Sequence, residues 1–411
     1  VQETAQESRE VQGGAAAMES ASPGVEIAAP AHSENGSPYR VEPDLAFIDG
    51  FAAFGAKTFK QCYQCATCSA RCSISPEENP FPRKEMLWVK WGLKDRLIRD
   101  LDMWTCYYCG DCSIGCPREA DPGETMMALR RYVTSVYDWT GISRFMYTSR
   151  LREIGAIVVV GLIVVGLFFL SSAFTPERMV RDHVSVDTFI PVHLVHYSDW
   201  VMAAILTFFL LTNTFRMWRF VMDGQKVGFG AYVRNLKTFL VHAATQKKWR
   251  ECAEASTRSH WFKHFIFVPA YVAMFVLVMF FLKRLQVDSS RFSNVSYLGY
   301  AIAFVLLYVT ADAIIGRIRK KDPIHKYSHD SDWMFLILLF LTALTGILMN
   351  VLRLMDWPLS TYYMYVIHLA IAVPLLVLEV PFMKWAHLMY RPLALYLKVV
   401  KEDARAVQAK A

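Results

Sequence analysis

Beyond residue 153 the chain carries six stretches with no Asp, Glu, Lys or Arg: 154–176, 200–215, 265–282, 292–311, 333–352 and 357–378, each 16 to 23 residues long. About 20 apolar residues, rising 1.5 Å each, cross the ~30 Å hydrocarbon layer of a bilayer. Backbone amides find no water there, so each crossing must satisfy its own hydrogen bonds as a helix. The second stretch lengthens to 188–215 if Asp199 is tolerated. The expected fold is therefore all-α, with a six-helix transmembrane domain over 153–390. Composition agrees: 54% apolar and 20% charged residues make a chain greasier and less charged than an ordinary soluble protein.

Loop charge gives an orientation. Segments 117–153, 216–263, 317–331 and 384–411 hold 27 Lys and Arg, while the alternating loops 173–189, 283–296 and 353–361 hold 6. Short cytoplasmic loops carry the excess of basic residues. This predicts a multi-pass protein of the cytoplasmic (inner) membrane, with both termini and everything before residue 153 in the cytoplasm. It also accounts for the net charge of +7 without nucleic acid, for which no aromatic and basic platform is present.

The first 40 residues contain 26 that are Ala, Glu, Ser, Gly or Pro. They hold too little apolar surface to offset ordering entropy and read as a disordered tail. They lack the pattern of a secretory signal. Residues 41–152 read as a compact soluble domain, and 391–411 as a cytoplasmic C-terminal tail. Helical stretches are expected at 84–97, with Leu87, Trp88, Trp91 and Leu97 as the apolar face, and at 123–136.

Eight of the nine cysteines fall between Cys62 and Cys116. Cys62-x2-Cys65-x2-Cys68-x3-Cys72 is followed by Cys106-x2-Cys109-x2-Cys112-x3-Cys116-Pro117. In this doubled spacing three thiolates wrap one cubane, and the fourth reaches the other. Cys62, Cys65, Cys68 and Cys116 are thus assigned to one [4Fe–4S] cluster, and Cys106, Cys109, Cys112 and Cys72 to a second. Disulfides are disfavoured in a reducing cytoplasm. Two four-thiolate zinc sites are the weaker alternative. Ser73 stands where the second motif has proline, and Cys252 reads as incidental.

Histidines mark the ends of the spans. His193 and His196 open the second on the outer side, and His260 and His264 precede or open the third on the inner side. His368 and His387 lie near the outer and inner ends of the sixth. Paired imidazoles on facing helices hold b-type haem. Depth pairs His264 with His387, and His368 with His193 or His196. One helix of about 28 Å between His368 and His387 would then serve two haems, with Pro374 and Pro381 able to kink it. Asp199 and Asp312 could line a quinone or proton route, or pair with a nearby base such as Arg317. His32, His183, His242, His325 and His329 are expected to be solvated.

These residues resemble known families. The segment CYQCATCSARC…PRKEMLWVKWGLKDRLIRDLDMWTCYYCGDCSIGCPREAD is similar to the iron–sulfur C subunit of heterodisulfide reductases, which implies an α-helical ferredoxin fold over about 41–135. From about 188 onward, HWFKHF, SDWMFLILLFLTALTGIL and IHLAIAVPLLVLEVPFMKWAHLMYRP resemble the E subunit of those enzymes and the nitrate reductase gamma-type cytochromes b. That resemblance implies haem ligands at His368, His387 and His264. The family's fourth ligand falls near Met274 here, so the outer haem depends on His193 or His196. A single chain joining both parts, with an extra span at 154–176, resembles the C-subunit family of quinone-interacting membrane-bound oxidoreductase (Qmo) complexes.

The function implied is a membrane electron-transfer subunit, not a complete enzyme alone. It would pass electrons between menaquinol or menaquinone and flavin-containing iron–sulfur partners, through haem b (one or two, two favoured) and two [4Fe–4S] clusters. Adenylylsulfate reductase in sulfate respiration is the implied far acceptor. The alternatives are the same wire serving a heterodisulfide- or sulfite-reducing complex, and a non-catalytic redox anchor. No glycine-rich nucleotide fingerprint is present, so hydride chemistry is expected from a partner.

Overall fold

A computed structural model describes residues 42–408, except 252–254, 287–291, 293, 321 and 327. The stretch read as a disordered tail, together with His32 and Cys252, lies outside the described residues. Every regular element among the described residues is helical. Six helices are long and apolar enough to cross a membrane: Arg150–Leu170, Val192–Met222, Arg258–Leu285, Asn294–Arg319, Asp330–Leu354 and Pro358–Phe382. They overlie the six charge-free stretches. The second takes the longer form, with Asp199 inside it.

The cysteine domain is built from short helices around the longer α1 (Pro122–Tyr137). Pro122 at the first helical position presets φ, and the Asp121 side chain accepts from the Glu124 N–H at 3.4 Å, so the helix starts with its cap in place. Its Met126 and Leu129 form the core with Phe51, Phe59, Leu97 and Trp104. The stretch expected as one helix over 84–97 is two, Arg83–Lys90 and Lys94–Arg99. Gly92 divides them at φ +67, where a Cβ would sit 2.7 Å from the Asp44 backbone; only glycine allows that approach. The buried face is consequently Glu85, Met86 and Val89, while Trp91 is 56% exposed. Expectation and structure differ because the apolar period runs straight through a break in the helix.

The spans follow as α2 (Arg150–Leu170) and α3 (Val192–Met222), then α4 (Phe229–Thr245) as a connecting helix, α5 (Ala255–Leu285), α6 (Asn294–Arg319) and α7 (Asp330–Leu354). The sixth span begins as α8 (Pro358–Pro374) and loosens to a π-turn over Leu375–Glu379. It ends at Phe382, and Met383 leaves helical geometry at φ −120, ψ −148. Proline removes an amide and crowds the carbonyl four residues earlier, and Pro381 lies within this stretch. Asn213 of α3 donates its side-chain amide to the Pro381 carbonyl at 3.5 Å. The continuous helix expected from His368 to His387 is thus interrupted. His387 instead begins a separate helix, α9 (His387–Gln408).

Helix α9 is no loose tail. Tyr390, Ala394 and Leu397 share one core with the cysteine domain and with Met217 and Val221 of α3. Lys398 Nζ reaches Asp102 Oδ1 at 2.6 Å, and Lys84 Nζ reaches Asp102 Oδ2 at 2.6 Å. Arg216 of α3 donates to the Tyr137 and Val136 carbonyls at 2.7 and 3.2 Å, which closes the C-terminal end of α1. The cysteine domain is therefore seated on one end of the helical bundle.

Candidate redox-cofactor sites

The two cysteine motifs fold alike. Gln64 (φ 60) and Tyr108 (φ 56) precede the second cysteine of each, and Ala66 (φ 67) and Gly110 (φ 92) follow it. Positive φ is uncommon outside glycine, and three of these four residues have side chains. The Gln64 and Tyr108 amides donate to Cys62 Sγ and Cys106 Sγ, each at 3.4 Å. A one-turn helix then follows in both, Thr67–Ala70 and Asp111–Ile114. The spacing that doubles in the sequence doubles in the backbone.

One cavity is walled by Cys72 together with Cys106, Cys109 and Cys112. The fourth cysteine of the first motif is thus gathered with the first three of the second. The reciprocal segment turns the other way: Arg118, two residues past Cys116, lies 4.2 Å above the ring of Tyr63, next to Cys62. None of the eight sulfurs is in a disulfide. Burial, then Cys62, pushes the Cys68 thiol up to about 11. Burial, then Cys106 and Cys109, raises Cys112. Burial disfavours bare thiolates at Cys68 and Cys112, and a cationic metal centre offsets that cost; at Cys65 the Thr67 hydroxyl lowers the thiol instead.

Sulfur spacing separates zinc from a larger centre. Four thiolates on one zinc at ~2.3 Å lie within roughly 4 Å of one another. Among the described residues no three cysteine sulfurs lie within 4.8 Å of one another; the one group that close is Glu85, Asp100 and Asp102. The donor sets fit a multi-iron cluster better than a single ion.

At the bundle end beside this domain, the rings of His264 (α5) and His387 (α9) lie 6.2 Å apart between centroids, with planes inclined by 56°. Two imidazoles on opposite sides of one iron, with bonds of about 2 Å, place their centroids at about this separation. His387 Nδ1 faces the Lys384 carbonyl, which assigns the Nδ1 proton and leaves Nε2 for a metal. Burial, then His264, pushes His387 down to about 3, so the ring is neutral. Phe267, Tyr271, Phe335 and Trp385 line the same pocket. The pair fits a haem.

A continuous aromatic bridge joins the two kinds of site. Tyr107, adjacent to Cys106, stacks on Trp249 at 5.3 Å, and Trp249 meets the His264 ring edge-on at 5.3 Å. Arg391, one turn beyond His387, lies over Tyr107 at 3.6 Å and donates to the Cys106 carbonyl at 2.5 Å.

The far end of the bundle is different. His368 (α8) faces the Thr345 hydroxyl through Nδ1 at 2.9 Å and lines an apolar cavity of about 260 Å³ with Asp199, Tyr365, Gln286 and Met274. His196 is turned away: its Nε2 contacts the Met279 carbonyl at 2.8 Å and the Trp200 indole N–H at 3.1 Å. His193 is exposed. The contacts described for His196 do not include His368. Asp312 pairs with Lys263 at 2.6 Å rather than with Arg317. His325, expected in solvent, is buried beneath Gly316. Burial, then Arg317, pushes it down to about 4. His329 caps α7.

Residue patterns did not mark Trp249, Tyr107 or Arg391. Trp249 sits in a basic loop where a lone tryptophan carries no periodic signal; only its place beside His264 identifies it.

The fold defines a helical protein with six helices long and apolar enough to cross a membrane and a peripheral cysteine-rich domain, in which Cys72 joins the first three cysteines of the second motif. Its similarity to known proteins covers about a fifth of the chain. The chain is 32% identical over 84 residues to a protein of Archaeoglobus profundus that is like the C subunit of heterodisulfide reductase, covering 20% of this chain and 45% of that protein. It is 32% identical over 77 residues to the C subunit of the H2:CoB–CoM heterodisulfide, ferredoxin reductase of Methanothermobacter marburgensis (18% and 41%). It is 38% identical over 74 residues to the second iron–sulfur C subunit of the CoB–CoM heterodisulfide reductase of Methanocaldococcus jannaschii (18% and 39%). The chain thus spans less than half the length of the curated relatives it matches. No protein-family model and no solved structure matches.

Proposed function

We propose that this chain is the membrane electron-transfer subunit of a quinone oxidoreductase, passing electrons between menaquinol or menaquinone and cytoplasmic flavoprotein partners. The observation that carries this reading is the bridge from Cys106 through Tyr107 and Trp249 to His264, because it links a four-cysteine site to a paired-imidazole site through packed aromatic rings. Haem b and two [4Fe–4S] clusters, when bound, would supply one-electron carriers.

In this reading Cys62, Cys65, Cys68 and Cys116 hold one cluster and Cys106, Cys109, Cys112 and Cys72 the other. His264 and His387 hold one haem. The cavity of His368, Asp199, Tyr365 and Gln286 accepts the quinone ring, being apolar with a few convergent polar groups. Tyr271 lines both this cavity and the His264 pocket, which supports a route between them. The 27-to-6 loop bias supports a cytoplasmic cysteine domain, where flavoprotein partners can dock.

The resemblance to Qmo complexes points the far acceptor toward adenylylsulfate reductase in sulfate respiration. The names of the relatives favour equally a partner that reduces a heterodisulfide, and co-purified proteins distinguish the two. The direct test is cofactor content of the anaerobically purified chain. About eight non-haem irons and one haem with a reducible b-type spectrum are expected. Zinc in place of iron, or no b-type signal, overturns the reading.

A further inference from the structure

Two buried carboxyl groups lie within electrostatic reach of each other at the cysteine-domain end of the bundle, and nothing in the electron route uses them. Glu379, in the π-turn, is 0% exposed, and Glu153 of α2 is 1% exposed. Both oxygens of Glu379 and Oε1 of Glu153 lack a hydrogen-bond partner. Unpaired buried polar groups are expensive, and π-turns inside α-helices recur at functional sites.

The surroundings are ionisable on every side. Glu379 faces Glu153, Lys384 and Asp332, and Glu153 also faces Asp330, Arg150 and Arg131. These charges are largely committed elsewhere: Lys384 pairs with Asp332, and Arg131 with Glu124 at 2.8 Å. Tyr147 faces both glutamates. It also lines an open cleft of about 860 Å³ with Ser149, Arg150, His329 and Asp330. Water in that cleft is thus one tyrosine away from the pair.

We propose that Glu379 and Glu153 form a proton-binding pair that takes up one proton from the cleft when the chain is reduced and releases it on reoxidation. Two buried carboxylates that feel each other's charge, without hydrogen-bond partners, are costly to ionise together, so the pair offers a single exchangeable site. Its titration belongs to the pair and not to either residue. An electron added within a low-dielectric bundle is costly unless a positive charge follows it. The step balances: one electron arrives from the quinol, or in the test from dithionite. One proton leaves the cleft water and forms one O–H bond on a carboxylate, and electron transfer to the partner reverses both.

This rests on the electron-carrying reading, and the experiment separates the two. Reduced-minus-oxidised infrared spectra of the full chain are recorded in H2O and D2O, with optical and EPR spectra of the same samples. The expected result is a carboxylic-acid C=O band that changes with reduction, shifts in D2O, and disappears in Glu379→Gln. Glu153→Gln, expected to shift or abolish the same band, serves if Glu379→Gln fails to assemble. Absence of the band in wild type, or an unchanged band in the variants, overturns the proposal. If the optical spectrum shows no b-type signal the haem reading fails, yet cluster reduction seen by EPR still drives the infrared test.

Discussion

At the scale of single residues, the fourth cysteine of each motif decides which cluster it serves. Cys72 is walled in with the second motif, so Cys72→Ser should perturb the EPR signal of the cluster proposed at Cys106, Cys109 and Cys112. Cys116→Ser should perturb the other signal. The same signal lost in both variants would contradict the crossed assignment. Histidine replacements give an equally sharp contrast. His264→Met and His387→Met should abolish a b-type spectrum, because each removes one of the two imidazoles that would hold the proposed haem. His193→Ala and His196→Ala should leave the signal of the His264–His387 site unchanged, since that pair does not include them.

At the scale of elements, α9 is tied to the cysteine domain by a buried charge. Burial would raise the Asp102 carboxyl, but Lys84 and Lys398 outweigh it and hold it below its ordinary value. A lowered native value means that the contribution is fully present above about pH 4. It is lost as the pH falls through the native value, where the native carboxylate takes up its proton. Lys398→Ala removes one charged hydrogen bond while Lys84 remains. It should cost about 1.5–3 kcal/mol, read as a lower thermal midpoint and earlier proteolytic release of α9. A variant as resistant as wild type would show that the apolar packing of Tyr390 and Leu397 alone holds the helix. Elements were unevenly legible in the sequence. The six spans stand out because each satisfies its own backbone within one uninterrupted apolar run. The break at Gly92 was hidden because Leu87, Trp88, Trp91 and Leu97 fit a helical period that the chain does not follow. The break at Met383 was only half visible: Pro374 and Pro381 signal a kink, but not the new helix starting at His387.

At the scale of the whole molecule, the contacts that matter most join residues distant in the chain. Arg391 reaches the Cys106 carbonyl across 285 positions, and Trp249 bridges Tyr107 and His264. No local pattern encodes such meetings. The cysteines were legible because eight thiols share two short motifs, and His264 with His387 because both lie at the same depth. Trp249, Glu153 and Glu379 were not, since their meaning arises only once separate elements pack together. Trp249→Leu should keep both cofactor spectra intact while slowing electron transfer between them, as flash-initiated absorbance kinetics would register. An unaltered rate would mean that electrons leave the His264 pocket by another path.

The central claim is that electrons from quinol reach the clusters only by way of the His264–His387 site. Freeze-quench EPR after adding a menaquinol analogue to the anaerobic membrane complex tests it directly. In wild type the b-type signal should be reduced first and the cluster signals should follow, whereas in His387→Met the clusters should stay oxidised although dithionite still reduces them. Cluster reduction by quinol at the wild-type rate in His387→Met would contradict the account.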